Sequence, residues 1–386
     1  MEGSPFIFDK PVTGKNFIGR KSDVTILSNM LVQGENIAVW EPAKSGKESL
    51  LLQTFYNMRL SGRKFQTVRC SLLNTRTVAD VCIRLGGALL TGISNTPDDL
   101  ANAAVKYLRG THFVFDPALY INRGQVLSLN WDIDDVDIRA ILSLPYRISE
   151  DRDEARYVVL EEFQNIMLCE GGEHLCSLLY GIFEGLPSDK RLLASYLFVG
   201  SEVNAMKDIF EVRRLFYRRV EHLPLSALET KEIIDHVSRG FLTSGKVIDR
   251  DLLMGACKLF KGNIWYINHF AYICDSISKG YIMEHALTDA LDVLVAVHEP
   301  RFVAMMNGLT TFQVCLLRAI MDGHTRFSSA EVISRYNLNS SANVRRLKDA
   351  LCRKEIVTFD EHDEPVILDP LFEWWARKYF FEIPGE

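Results

Sequence analysis

The residues best suited to chemistry lie at 41–48, where the sequence is EPAKSGKE. A short apolar run precedes this segment and an amphipathic one follows it, which predicts a strand, a loop and a helix in that order. In that setting backbone N–H groups and the helix N-terminus hold nucleotide phosphates, and a lysine neutralises them. Lys44, Ser45, Gly46 and Lys47 offer these groups here. The loop is therefore a candidate phosphate-binding loop.

Two positions of this loop depart from the pattern G-x-x-x-x-G-K-[ST]. Glu41 replaces the first glycine, and Glu48 replaces the hydroxyl residue that would hold Mg²⁺. A like charge about 8 Å from a phosphate, at an effective dielectric constant near 20, costs about 2 kcal/mol. Two such acids would weaken ATP binding about a hundredfold or more. Ser49 does not replace the missing hydroxyl in the metal site, because one helical residue turns the side chain by about 100°.

A second chemical stretch is the apolar run at 157–160, which ends in Glu161, Glu162, Phe163 and Gln164. Its length predicts a strand buried on both faces, with two carboxylates at the carboxyl end, where ligands bind in open α/β sheets. Another predicted strand, 194–199, ends before Ser201. Strands alternate with helices up to residue 225, with an expected β-hairpin at 111–131 around residues 122–124. We therefore predict an α/β fold, a parallel sheet with helices on both faces.

The chain beyond residue 225 changes character twice. Residues 226–307 read almost entirely as helix, and residues 308–386 read as three helices, two short strands and a last helix, the pattern of a winged helix. The predicted organisation is thus an α/β domain at 1–225, a helical lid domain at 226–307 and a winged-helix domain at 308–386.

In this order, the motifs resemble those of the archaeal-type ATPase family of P-loop proteins, which is related to signal-transduction (STAND) ATPases and more distantly to origin-recognition initiators. The resemblance spans nearly the whole chain. The segments that carry it are FIGR at 17–20, SGK at 45–47, EEFQ at 161–164, GS at 200–201, GNIWY at 262–266, DPLF at 369–372 and WW at 374–375. Two of these segments depart from the family, which usually has Asp at position 161 and commonly proline at position 264.

The resemblance implies a nucleotide between the sheet and the lid, with ATP or ADP and Mg²⁺ as cofactors. In the family the residue at position 48 binds the metal and the residue at position 161 holds a water on it, so Glu48 and Glu161 are the candidate metal ligands. Glu162 matches the catalytic base. The remaining residues expected to contact the nucleotide, besides Lys44 and the SGK triplet, are Arg20, Glu48, Ser49, the polar sensor Ser201, and Arg218 or Arg219 at the γ-phosphate.

Three states of this site stay open from the sequence. Lys47 could pair with Glu48 or Glu161 and leave a closed pocket without a cofactor, the site could bind nucleotide without efficient hydrolysis, or Glu48 and Glu161 could both ligate Mg²⁺ in a working ATPase. The leading hypothesis is a degenerate ATPase that acts as a regulatory or scaffolding module, with weak or absent nucleotide binding.

The third helix of the predicted winged helix carries Arg345, Arg346 and Lys348, which are suited to DNA phosphates. The predicted wing opposes this role, because Asp360, Glu361, Asp363 and Glu364 lie on it. A protein partner or self-assembly is therefore the leading expectation, with DNA binding as its competitor.

Composition narrows the remaining classes. The net charge of −6 gives no general attraction to nucleic acid or anionic membranes. No apolar run is long enough to span a membrane and no signal pattern is evident, so a cytoplasmic protein without membrane contact is expected. The 8 cysteines contain no C-x-x-C pair and are interpreted as free thiols.

Overall fold

The apolar runs near residues 37, 155 and 194 form adjacent parallel strands in the computed structural model of the chain, which describes residues 4–94 and 96–383. The strands of the described residues are β1 (Ile37–Trp40), β2 (Phe65–Ser71), β3 (Phe113–Phe115), β4 (Leu127–Leu129), β5 (Ala155–Glu161), β6 (Ala194–Gly200), β7 (Glu221–His222), β8 (Val247–Ile248), β9 (Tyr281–Ile282), β10 (Val357–Phe359) and β11 (Pro365–Ile367).

Helices occupy most of the remaining chain. They are α1 (Lys21–Val32), α2 (Lys47–Leu60), α3 (Val78–Thr91), α4 (Pro97–Tyr107), α5 (Pro117–Arg123), α6 (Asp135–Arg152), α7 (Gly172–Gly185), α8 (Ser188–Arg191), α9 (Val203–Lys207), α10 (Thr230–Thr243), α11 (Arg250–Leu259), α12 (Ile264–Ile277), α13 (Glu284–Asn307), α14 (Thr311–Met321), α15 (Ala330–Arg335), α16 (Ser341–Arg353) and α17 (Pro370–Trp375). The chain divides into two units. The first comprises 1–20, 42–52 and 226–386, and the second comprises 21–41 and 53–225.

The second unit holds a parallel sheet of five strands in the order β2-β5-β6-β1-β7. Every residue of β6 is buried, as expected for an apolar run covered on both faces. Four phenylalanine rings pack at one end of this core: Phe163, Phe198, Phe210 and Phe216. The α/β class with a parallel sheet is confirmed.

The expected hairpin at 111–131 is present in a modified form. β3 and β4 pair antiparallel as a separate two-stranded sheet, but the predicted turn at 122–124 is wrong, because α5 connects the strands. Asp116 caps the N-terminus of α5, Pro117 occupies its first turn and Gly124 ends it with a left-handed backbone. Four further helices of the described residues, α4, α7, α8 and α9, were not predicted.

The first unit contains α10–α13 and the C-terminal elements α14–α17 with the antiparallel pair β10 and β11. One continuous apolar core runs from Ile233 to Ala376 and includes Phe6 from the N-terminal segment. Six of its helices begin at side-chain caps, among them α12 at Asn263, α16 at Ser340 and α17 at Asp369. The three helices and two strands predicted for the winged helix are all present.

The expectations about membrane-spanning segments and cysteines concern the helices and the thiols. None of the helices in the described ranges is long and apolar enough to cross a membrane. All eight cysteines are free thiols, six of them buried, while Cys315 and Cys352 are partly exposed.

Candidate functional site

The loop between β1 and α2 has the backbone of a phosphate-binding loop. Gly46 has φ +93°, a conformation that side chains rarely adopt, and a Cβ there would lie 2.9 Å from Arg20 Nη1. Lys47 opens α2, and the amide of Leu50 donates to the Gly46 carbonyl at 3.0 Å. The N-terminus of α2 therefore starts directly after the loop, where the P-loop pattern places a phosphate.

The lysine of this loop is folded onto the loop itself. Lys47 is 8% exposed, and its Nζ donates to the Pro42 carbonyl at 2.9 Å and to Ser45 Oγ at 3.5 Å. Arg20 braces the same loop, since its Nη1 donates to the Ser45 carbonyl at 2.7 Å and its Nε to the Ser226 carbonyl at 2.9 Å. The structure thus places Arg20 on the loop backbone, and a phosphate contact by this residue stays a prediction.

The two residues after the lysine have different environments. Glu48 is exposed, while Ser49 Oγ accepts a hydrogen bond from the amide of Val12 at 3.1 Å. Ser49 therefore holds the N-terminal segment, and its direction relative to a metal stays a prediction. Neither residue supplies the hydroxyl that the P-loop pattern has at position 48.

Glu161, at the carboxyl end of β5, is engaged by an arginine that the sequence analysis did not single out. Arg69 lies on the neighbouring strand β2, and its Nε donates to Glu161 Oε1 at 2.6 Å while its Nη2 also contacts that oxygen. Parallel register explains this contact, because Arg69 and Glu161 are two residues apart along paired strands. The only signal for this contact in the sequence was the alternation of exposed residues along β2.

Glu162 and Ser201 come together, as the resemblance implied for a base and a sensor. Glu162 has φ +52°, and its Oε2 accepts from Ser201 Oγ at 2.5 Å and from Gln164 Nε2 at 2.6 Å. Gln164 Oε1 is buried with no partner in the described part of the chain. Burial, and then the Glu162 charge, raises the pKa of Glu202. The sheet edge is thus an acidic, hydrogen-bonded cluster.

The arginines that were candidates for a γ-phosphate have other contacts. Arg219 Nη2 lies 3.6 Å from Glu184 Oε1, so this residue forms an ion pair on the surface. Arg218 has φ +58°, and its guanidinium carbon lies 5.0 Å from the centre of the Tyr217 ring. A contact with nucleotide stays a prediction for both.

The candidate nucleic-acid residues on α16 differ in their environments. Arg345 and Arg346 are exposed. Lys348, by contrast, donates to Asp363 on the wing, and its Nζ lies 3.9 Å from the Phe359 ring centre. One of the three cations is therefore neutralised by an acid that the sequence analysis had placed on the wing.

One further group of potential metal ligands lies outside these predictions, His112, Asp134 and Asp137. The Asp137 carboxylate accepts from the amides of His112 at 2.7 Å and Asp134 at 3.0 Å, and it also contacts His112 Nδ1 at 2.9 Å. Burial alone would raise the pKa of Asp137, but these hydrogen bonds lower it. We interpret this group as the capping box of α6 with its histidine partner.

Comparisons with known proteins agree with this geometry. Residues 300–378 match the model of a family described as a probable winged helix domain. No curated protein matches the sequence. Among solved structures, the Walker-type ATPase PABY2304 of Pyrococcus abyssi is similar with a TM-score of 0.67 at 15% identity, over 97% of this chain and 99% of that chain.

The ORC2 protein of Aeropyrum pernix is a second structural neighbour. Its ADPNP-ADP complexes give a TM-score of 0.57 at 14% identity, over 94% of this chain and 93% of that chain. Its ADP form gives 0.55 at 14% identity, over 98% of both chains. The chain therefore has the α/β P-loop fold of the archaeal Walker-type and ORC2 proteins with a C-terminal winged helix, which confirms the resemblance to archaeal-type ATPases at the level of the fold.

Proposed function

We propose that this chain is a degenerate P-loop ATPase, a regulatory or scaffolding module that binds nucleotide phosphates weakly and does not hydrolyse ATP efficiently. The observation that carries the proposal is the ion pair between Arg69 and Glu161. In the P-loop fold, the carboxylate at this strand end helps to hold Mg²⁺. Here a guanidinium already neutralises it.

The ion pair matters because Mg²⁺ demands several oxygen ligands in nearly octahedral geometry and gives up its waters reluctantly. An arginine matches a carboxylate with fixed, charge-assisted hydrogen bonds. Metal binding would have to separate Glu161 from Arg69 and would gain no hydroxyl from position 48, where Glu48 stands. The residues present therefore fit the family's metal site poorly.

The phosphate side of the site fits better. Gly46 and Lys47 keep the backbone shape and the buried cation that phosphate binding needs. The neighbouring fold of ORC2 was solved with ADPNP and ADP, which supports a nucleotide as the ligand class. We therefore propose weak binding of ATP or ADP that depends little on Mg²⁺.

The main alternative is a Mg²⁺-dependent ATPase in which Glu48 and Glu161 both ligate the metal. The hydrogen bonds from Ser201 and Gln164 to Glu162 favour it, because they orient a carboxylate that could act as a base. This alternative requires Arg69 to leave Glu161.

Calorimetric titration with ATP and with ADP, with and without Mg²⁺, separates the two. The proposal expects weak binding that is lost in Lys47→Ala and changes less than threefold when Mg²⁺ is removed. In Arg69→Met, which keeps the apolar stem of the side chain, Mg²⁺ should strengthen ATP binding about tenfold. Tight, Mg²⁺-dependent binding by the wild type, with phosphate release that disappears in Lys47→Ala, would overturn the proposal.

For the winged helix we propose a protein-interaction role, with DNA binding as the second candidate. The bond between Lys348 and Asp363 and the acidic wing support the first. The exposure of Arg345 and Arg346 favours the second. A gel shift with duplex DNA that weakens with salt and is lost in Arg345→Ala/Arg346→Ala would assign DNA binding instead.

A further inference from the structure

Lys44, two residues before Gly46, has a contact that phosphate chemistry does not explain. Its Nζ lies 3.5 Å from the centre of the Trp265 ring, at the start of α12. The backbone of Lys44 is left-handed, with φ +67°, which is uncommon for a residue with a side chain. The side chain of Lys44 therefore contacts an aromatic ring within the first unit.

The ring that receives Lys44 is held by other rings. His269 and His298 lie edge-on to Trp265, with centroids 5.2 Å and 5.7 Å away, and Phe8 stacks on His269 at 4.2 Å. Burial first, and then nearby cations, lowers the pKa of His298 to about 4, so this ring adds no positive charge near neutral pH. A neutral cluster of aromatic rings attracts a cation through a cation–π contact.

The cluster continues to the C-terminal helix. Tyr266, next to Trp265, donates its hydroxyl to the Asp369 carboxylate at 2.9 Å, and Arg301 pairs with the same carboxylate. Asp369 in turn accepts the amides of Leu371 and Phe372 and so caps α17. Adjacent contacts thus connect the loop, through α12 and α13, with the last helix of the winged helix.

We infer that Lys44 and Trp265 form an autoinhibitory latch that holds the phosphate-binding loop in a state of low affinity. This inference rests on the proposed function, because it concerns the regulation of the same weak phosphate site. A pyrophosphate or nucleotide phosphate at the loop competes with the Trp265 ring for the Lys44 ammonium. Binding therefore has to break the latch, and its release reaches Asp369 and the cap of α17 through Tyr266.

The direction of the effect distinguishes a latch from an ordinary ligand. If Lys44 served only to attract phosphate, loss of Trp265 would leave affinity unchanged or lower. If Trp265 withholds Lys44, removing the ring frees the ammonium and strengthens binding. The informative variant is therefore at Trp265, with Lys44→Met as its complement, since that variant loses both the latch and the charge.

The first measurement is a titration of the full chain with inorganic pyrophosphate and with ADP, without Mg²⁺. Trp265→Leu should bind about tenfold more tightly than the wild type, Trp265→Phe should lie between them, and Lys44→Met should gain nothing. Phe359→Leu is the matched control, because Lys348 Nζ lies 3.9 Å from the Phe359 ring centre in a similar pair that the contacts between the loop and α17 do not include. Unchanged or weaker binding in both Trp265 variants would overturn the latch.

The second measurement needs no nucleotide, so it separates failure of the latch from failure of the proposed function. Hydrogen exchange of the amides at 43–46 should be faster in Trp265→Phe and Lys44→Met than in the wild type, and unchanged in Phe359→Leu. In the wild type, pyrophosphate should also speed exchange at Leu371 and Phe372. Wild-type exchange rates at 43–46 in both latch variants would refute the inference, whatever the nucleotide titrations show.

Discussion

The loop at 41–48 and the sheet edge at Glu161 and Glu162 keep different parts of the P-loop sequence pattern. The loop keeps its backbone conformation, with Gly46 at φ +93° and the start of α2 at Lys47. The sheet edge keeps its carboxylates, but Arg69 holds one and Ser201 with Gln164 holds the other. The loop therefore retains the backbone geometry. The sheet edge retains the carboxylates, which already accept hydrogen bonds from neighbouring side chains.

Under the proposed function, phosphate binding by the loop tolerates more sequence change than metal binding at the sheet edge does. Phosphate binding by a loop depends largely on backbone amides, which almost any residue supplies. A Mg²⁺ site depends on particular oxygen atoms at fixed distances. Glu48 in place of the hydroxyl residue, and the ion pair at Glu161, would therefore weaken metal binding more than phosphate binding.

The largest expected effect tests the loop. In Glu41→Gly/Glu48→Thr, both acids near the phosphates are removed and a hydroxyl returns after Lys47. We expect ATP to bind about a hundredfold more tightly, because each acid contributes about 2 kcal/mol of repulsion and part of that is screened. Calorimetric titration of the variant with ATP measures the change.

The control for this prediction is Glu361→Gln, which removes an exposed charge from the wing. It should leave ATP binding as in the wild type. If the double variant gains no more affinity than this control, repulsion by the loop acids is not what weakens the site.

A smaller effect tests whether the sheet edge is a constructed hydrogen-bond network. Ser201→Ala removes the donor that lies 2.5 Å from Glu162 Oε2, which should lower the free energy of unfolding by about 1.5 kcal/mol. Ser195, on strand β6, which ends just before Ser201, is the matched control, since its Oγ is buried without a partner in the part of the chain that the structure describes. Urea unfolding should show Ser195→Ala to be neutral or slightly stabilising.

Equal losses in the two serine variants would mean that Ser201 contributes packing and not a specific bond. The comparison between loop and sheet edge would then weaken, because the carboxylate of Glu162 would be open to other partners. A larger loss of unfolding free energy in Ser201→Ala than in Ser195→Ala would strengthen the comparison between the loop and the sheet edge.

The order of strand, loop and helix at 37–60 and the ends of two buried strands depend on local patterns, so the sequence predicted both. The backbone at position 46 has a positive φ, which favours glycine. The apolar runs of β5 and β6 have the length and composition of buried strands. The contact between Arg69 and Glu161 was not predicted, because it depends on which strands are neighbours and in what register. The contact between Lys44 and Trp265 likewise joins residues far apart in sequence.

The α5 helix shows a different reason for error. Residues 122–124 read as a turn because of Asn122 and Gly124, but Asp116 and Pro117 form a helix start that local inspection of the turn overlooked. Capping residues five or more positions away decided the conformation. The predicted order of strand, loop and helix around Gly46 is present, and there the residues that determine it are adjacent in sequence.

The smallest expected effect extends the comparison to low pH through His298, which is 9% exposed. Burial, followed by the charges of Lys44, Arg301 and His269, lowers its pKa to about 4, while Asp369 opposes this. The unfolded chain has the ordinary pKa of about 6.5 and takes up a proton first as pH falls. The free energy of unfolding should therefore decrease by about 1 kcal/mol between about pH 7.5 and about pH 5.5 from this residue.

His298→Gln removes the titrating group, so its stability should fall less steeply over the same range of pH. Urea unfolding at several pH values measures the slope, and His362→Gln, an exposed histidine on the wing, is the control that should follow the wild type. Lys44→Met should also make the slope shallower, since the loop's cation helps to keep His298 neutral. Identical slopes in the wild type and in His298→Gln would mean that the aromatic cluster does not keep His298 neutral. The surroundings of Lys44 would then not be the neutral environment that distinguishes the loop from the acidic sheet edge.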